Sequence, residues 1–274
     1  MNQITSKIRI AHESPLSMLD LSRNYNDYDY ALVHKFEDTP EYYEFFVESL
    51  KQGRHVILDN SIFELGKAFD PKQYLMWINR LNPTEYIIPD VLEDAAGTMS
   101  NAIDWKNNYQ PSVDPSVKSI GVVQGKTYED LVTCYRYMDQ EIGVDKIAIS
   151  FDYSYYLEIC PHPNKWMGFV NGRVQTLARL LKDGVINTNK PHHLLGCALP
   201  IEFMFYREFK WIDTIDTSSP IVHGLLDIPY EACGLLTKQS IKLVDLLDAT
   251  PTGKQLDTIG INVGLFRSFV RGFE

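Results

Sequence analysis

The sequence predicts an α/β protein of the (β/α)8 TIM-barrel class, and three observations carry that expectation. Eight short apolar runs, most of them rich in β-branched residues or aromatics, recur along the chain and read as strands buried on both faces. Segments of helical period lie between them. The length of 274 residues suits one large barrel of about 250 residues with a short extension. An open doubly wound sheet is the rival architecture. No Gly-x-Gly-x-x-Gly follows an early strand, which weakens a dinucleotide-binding version of it.

The strand candidates are residues 8–11, 30–33, 56–58, 86–88, 120–123, 147–151, 194–198 and 211–215. Thr39-Pro40-Glu41 opens a helix with a capping residue, a first-turn proline and an early acid, and Gly53 closes it. Asp70-Pro71 opens the next, whose Tyr74, Leu75, Ile78 and Leu81 share one face. Thr127-Tyr128-Glu129-Asp130 has capping-box spacing ahead of Leu131, Cys134, Tyr135 and Met138. Residues 165–181 suffice for one helix or a broken pair. With no internal repeat, low-complexity tract or linker, residues 1–274 read as a single domain: a barrel over about 8–225 and a cover over about 226–274. The cover is expected to carry a helix at 238–247 and no zinc subdomain.

Composition narrows the class. Hydrophobic residues are 45% and charged residues 23%, an ordinary globular balance. No run approaches the roughly 20 apolar residues that span a bilayer, and residues 1–7 lack the apolar core of a secretory leader. Cys134, Cys160, Cys197 and Cys233 stand far apart without a Cys-x-x-Cys pair, which reads as reduced, buried thiols in a cytoplasmic protein. Twenty-six Lys and Arg against 36 Asp and Glu make a net charge of −10, a poor balance for non-specific coating of nucleic acid. An enzyme with a local basic groove is still compatible with it.

In a barrel the C-terminal strand ends build the active site. Those ends read His12-Glu13, His34, Asp59-Asn60, Asp90, Gln124-Gly125, Asp152, Pro200 and Asp213/Asp216. Crowded carboxylates repel one another and lose solvent, so they usually serve chemistry or metal binding; the bland alternative for any one is a helix cap. Asp59, Asp90 and Asp216 each come first after a buried run, while Asp152 and Asp213 suit structural roles. Gly121-Val122-Val123-Gln124-Gly125 puts an amide beside a glycine, an arrangement that suits close approach of a flat polar ligand. No His-x-His or His-Glu-x-x-His occurs, and His192-His193 precedes the strand candidate at 194–198. No Gly-x-Ser-x-Gly exists, and Cys197 sits inside an apolar run.

Asp59-Asn60-Ser61-Ile62-Phe63, Ile88-Pro89-Asp90, Val122-Val123-Gln124-Gly125, Leu194-Leu195-Gly196 and Ile212-Asp213-Thr214-Ile215-Asp216 follow one another in an order that resembles the tRNA-guanine transglycosylases. These are barrel enzymes that exchange a guanine in nucleic acid for a 7-deazaguanine. Across residues 8–225 the chain looks most like the 7-deazaguanine DNA transglycosylases of phages and bacteria. The resemblance implies that Asp216, the second acid of an Asp-x-x-Asp with Pro220 four residues on, is the nucleophile and Asp59 the general acid/base. It implies that Phe63 stacks on the bound base, that Asp90 and Gln124, beside Gly125, read its polar edge, and that Leu195 and Gly196 cover its other face. Two features depart from the family: its Gly-Gly-Leu strand appears as Ile149-Ser150-Phe151, and the Cys-x-Cys-x-x-Cys of the tRNA enzymes is missing, which shifts weight from tRNA toward DNA.

The implied chemistry breaks an N-glycosidic bond through an oxocarbenium-like state, with capture of C1′ by a carboxylate and proton transfer by a second carboxyl. The resemblance thus implies DNA as polymer, RNA as its nearest alternative, a 7-deazaguanine such as 7-cyano-7-deazaguanine as incoming base, and no cofactor, metal or membrane. A homodimer or a partner subunit is left open. Two other classes stand beside this one: a non-catalytic subunit of such an enzyme, and a metal-dependent hydrolase using His12, His34 and Asp216. A polyanion also requires a basic strip, and the sequence does not gather its lysines onto one face.

Overall fold

The computed structural model describes residues 8–272, so the stretch read above for a leader and the side chain of Cys233 lie outside the described residues. Eight parallel strands form a nearly closed barrel: β1 (Arg9–His12), β2 (Asp29–Leu32), β3 (Val56–Asp59), β4 (Glu85–Ile87), β5 (Lys118–Val123), β6 (Lys146–Ile149), β7 (His192–Leu194) and β8 (Ile212–Thr217). The helices are α1 (Leu19–Tyr25), α2 (Lys35–Asp38), α3 (Pro40–Lys51), α4 (Ile62–Leu65), α5 (Pro71–Leu81), α6 (Ala95–Asn108), α7 (Tyr128–Arg136), α8 (Ser154–Ile159), α9 (Lys165–Lys182), α10 (Ser219–Leu225) and α11 (Gly253–Arg271). No helix among the described residues is long and apolar enough to cross a membrane.

Local chemistry explains the boundaries. Asp70 accepts from the Lys72 and Gln73 amides at 3.1 Å each and starts α5. Thr127 and Asp130 close the expected capping box of α7. Residues 165–181 belong to one unbroken helix, α9, in which Gly172 lets α8 approach closely: a Cβ there would lie 2.3 Å from that of Tyr156.

Two expectations fail. The seventh strand is His192–Leu194, not 194–198; the apolar run continues past a turn at Gly196, whose φ of 63° ends the extended backbone. The helix expected at 238–247 is a segment draped over the barrel mouth, with only a short 3-10 turn, Leu243–Leu246. The long helix of the extension is instead α11, opened by a capping box between Thr252 and Gln255.

The interior is layered. At its N-terminal end Lys146, almost fully buried, meets Glu85 at 2.5 Å and Asp213 at 3.0 Å, and Arg9 pairs with Asp213 at 2.7 Å. Above this polar plug lie Ala11, Ile57, Ile87, Val122 and Ala148. Seven strand pairs carry ladders, that of β7 and β8 with a register shift at His192–His193, and the β1–β2 seam carries none. Residues just ahead of β2 replace it: the Asp27 amide donates to the Ile10 carbonyl at 2.9 Å, Asp27 Oδ2 accepts from the Ile10 amide at 2.9 Å, and Asn26 Oδ1 accepts from that of His12 at 2.7 Å. Asp27 is in turn gripped by Arg267 at 2.8 Å and Arg271 at 2.7 Å from α11. Burial alone would raise its pKa, but these arginines hold it below the usual carboxylate value.

This seam predicts that Asp27→Ala lowers unfolding free energy by about 2–4 kcal/mol, because two guanidiniums and a strand amide lose their acceptor together. Asp27→Asn, which keeps an acceptor for Ile10, should cost about half as much. Equilibrium urea unfolding of the three proteins checks the order.

Candidate active site

The C-terminal strand ends open into a cleft of about 600 Å³, within the range of small-molecule sites. Asp59, Asp90, Gln124, Phe63, Leu195, Gly196 and Asp216 all line it, together with Glu13 and Asp152. Gly125 does not. A Cβ at Gly125 would come within 2.5 Å of Asp130 Cβ and 3.1 Å of the Leu131 amide nitrogen, so this glycine admits the start of α7 and not a ligand.

Asp59 ends β3, where Tyr30 donates its hydroxyl to Oδ2 at 2.6 Å and the Ser61 amide donates to Oδ1 at 2.5 Å. Ser61 adopts a left-handed φ of 59°, strain retained by a residue without glycine's freedom beside the candidate acid. Burial, reinforced by the negative charge of Glu64, raises the pKa of Asp59 to about 8 despite those two hydrogen bonds.

Asp216, near the end of β8, receives the Gly196 amide at 3.1 Å from each oxygen and lies 3.0 Å from His193 Nε2. In the tautomer that donates Nε2–H to Asp216, Nδ1 lies 2.9 Å from Thr214 Oγ1 and accepts from that hydroxyl. His193 also stacks on Tyr30 at 5.8 Å between centroids. A continuous path therefore runs from Asp59 through Tyr30 and His193 to Asp216. Neither ring is a site candidate by sequence: His193 is set aside there as preceding a strand, and Tyr30 is read only as part of one. Both sit inside strands and not at their ends, and the misplaced seventh strand hid His193; inward alternation along β2 and β7 is the signal that finds them.

Asp90 is buried, its oxygens accepting from Asn60 Nδ2 at 2.8 Å and Gln124 Nε2 at 2.7 Å. Burial raises its pKa against these two amides. Gln124 Oε1 is occupied by the Glu93 amide at 2.9 Å, which fixes the flip of its carboxamide and leaves one N–H to donate into the cleft. Phe63 is exposed at 44% and presents an aromatic edge to the mouth. The turn carrying Leu195 and Gly196 is held from behind by Arg173, which donates to the Leu195 carbonyl at 2.8 Å and pairs with buried Glu202 at 2.7 Å.

Other candidates are not brought together. Asp213 lies in the polar plug at the opposite end of the barrel, so it does not belong to the rim and has the structural role its sequence suits. His12 turns outward to Asn26 and the edge of Phe266, and neither it nor His34 lines the cleft. A ligand set of His12, His34 and Asp216 is therefore not assembled. Cys134, Cys160 and Cys197 are free and buried. Cys197 lies in the loop after β7, and burial pushes its thiol further from ionisation.

Glu13 is a carboxylate that the rim reading noted without promoting. Burial and the charges of Asp216, Glu64 and Asp59 hold it protonated well above its usual range. No family model matches the chain, and no curated protein matches it.

Two expectations follow. From its ordinary 3.8 up to about 8, folded Asp59 keeps a proton that the unfolded chain has released, so stability falls as pH rises through that window. Asp59→Asn should flatten the fall of melting temperature with pH, by at most about 1.4 kcal/mol for each pH unit. Gly125→Ala should cost about 1–3 kcal/mol in urea unfolding while leaving ligand affinity within twofold, since its Cβ overpacks α7 and not the cleft.

Proposed function

We propose that the chain is a base-exchange transglycosylase that replaces a guanine in DNA with a 7-deazaguanine, 7-cyano-7-deazaguanine or a derivative of it, through a covalent glycosyl-aspartate. The observation that supports this reading best is the pair Asp59 and Asp216 on one cleft floor, the first poised near neutrality and the second steadied by two N–H donors. Two carboxyl groups in contrasting surroundings suit exchange at an anomeric carbon, where one proton donor and one nucleophile are needed.

In this reading the target nucleotide is flipped from its stack, or offered single-stranded, so that its base enters the cleft. Phe63 stacks on the base and offsets part of the unstacking cost of about 1–3 kcal/mol. The free N–H of Gln124 donates to guanine O6, and Asp90 accepts from N1–H and the 2-amino group with lone pairs that Asn60 and Gln124 leave open. Adenine reverses that edge pattern and is excluded. Protonated Asp59 supplies the proton that guanine needs on leaving; as the glycosidic bond breaks, Asp216 forms its ester with C1′. The incoming base then yields its N9 proton to ionised Asp59 and displaces Asp216. A 7-deazaguanine lacks the N7 lone pair that would assist its own departure, so exchange runs one way. Asn60, Tyr30 and His193 act through the groups they hold.

The test is incubation with guanine-containing DNA or a tRNA transcript plus 7-cyano-7-deazaguanine, followed by digestion to nucleosides and mass spectrometry. A modified deoxynucleoside is expected, with Asp216→Asn losing about 10³-fold or more in rate while still binding the free base. Product in tRNA alone moves the activity to RNA. A fully active Asp216→Asn, or no product on either polymer, overturns the reading.

A further inference from the structure

A basic, aromatic strip overhangs the cleft of this acidic chain. Residues 235–247 of the extension cross the barrel mouth and bring Lys238 and Lys242 to it; Lys165 arrives from the first turn of α9. Lys238 Nζ lies 5.3 Å from the ring centroid of Trp166 and 5.9 Å from that of Phe63. Lys242 Nζ stands 4.3 Å over Phe63, and Lys165 Nζ 4.5 Å over Trp166. Among the described residues none of the three makes an ion pair within 4.0 Å.

This cover is built and not merely draped. Asn164, the cap of α9, donates to the Leu236 carbonyl at 2.7 Å, and Gln239 meets His223 of α10 at 3.2 Å. Lys238 is therefore pinned from both sides. Burial lowers its pKa, against the attraction of Asp152, Glu13 and Asp216. An ammonium held beside two rings has lost part of its hydration, and the carboxylates that attract it stand beyond ion-pair contact.

We propose that Lys238, Lys242 and Lys165, with Trp166, form a phosphodiester subsite that grips the strand on either side of the flipped nucleotide. The subsite rests on the transglycosylase reading for the identity of its polymer and not for its charge. Its location explains how a chain of net charge −10 holds a polyanion next to a cleft full of carboxylates: the lysines stand between the phosphates and the acids. Trp166 offers a face on which a neighbouring base stacks, whatever its identity. Recognition of the backbone is thereby separate from recognition of the base, which Asp90 and Gln124 perform below.

The test measures binding of a fluorescent single-stranded 12-mer oligodeoxynucleotide with one central guanine to the full chain, between 50 and 200 mM salt. Loss of two phosphate contacts lowers the slope of log K against log salt by about 1.4, so wild type should weaken about sevenfold more across that range than Lys238→Gln/Lys242→Gln. Lys238→Arg/Lys242→Arg should keep the wild-type slope, and calorimetric affinity for free 7-cyano-7-deazaguanine should be the same in all three. An unchanged salt slope in the glutamine variant overturns the subsite, even where exchange activity proves the transglycosylase reading. Equal loss of slope in the arginine variant also overturns it, since charge is then not what the segment supplies. A wild type that binds the oligonucleotide through these lysines but neither binds the base nor exchanges it sinks the reading of function and leaves the subsite standing.

Discussion

A barrel of eight parallel strands must close, and here the closure depends on two residues just ahead of β2, Asn26 and Asp27. Asp27 stands in for the missing β1–β2 ladder by accepting from a β1 amide, and two arginines of α11 keep it charged and in place. The site straddles that seam. Asp216 comes from β8 and pairs in register with Ala11 of β1 on one side; Asp59 comes from β3 and pairs with Leu32 of β2 on the other. Their relative position is thus set through the seam, and the stack of Tyr30 on His193 bridges the same gap across the interior. A loosened seam therefore moves one carboxyl with respect to the other.

The second organising fact is electrostatic. Glu13, Asp59 and Glu64 are all pushed toward protonation by burial and by neighbouring carboxylates, Asp216 acting on Glu13 and Glu64, and Glu64 on Asp59. Like charges in a confined mouth cannot all ionise, so the cluster retains protons that isolated carboxyls would release. That makes it a reservoir of acid. The cations that offset it come from outside the barrel, on α9 and the extension, and they lie over aromatic rings without touching a carboxylate. The barrel supplies the acids, and the elements around it supply the positive charge that faces them.

The barrel was legible because strands buried on both faces read as short apolar runs, and because Asp70 and the Thr127–Asp130 box mark helix starts in ways that tertiary context did not override. Asp59, Asp90, Gln124 and Asp216 were legible as the first polar residues after those runs. Three things were not. The seventh run outlasts its strand, since buried loop residues such as Cys197 and Ala198 are as apolar as strand residues. A glycine announces close approach without saying of what, and at Gly125 the neighbour is a helix. Residues 235–242 have no periodicity, so nothing in the sequence says that Lys238 and Lys242 face the mouth. Asp213, which suits a structural role by sequence, has one: it sits in the polar plug at the opposite end of the barrel from Asp216.

The clamp on Asp27 also dictates an order of events. Asp27 and Asn26 bond Ile10 and His12 across only 17 and 14 positions, whereas Asp27 and Arg267 are separated by 240. The bonds between β1 and the start of β2 can therefore form as soon as β2 emerges, while the charge clamp on Asp27 waits for α11. Register is set early and locally, and the arginines lock it afterwards.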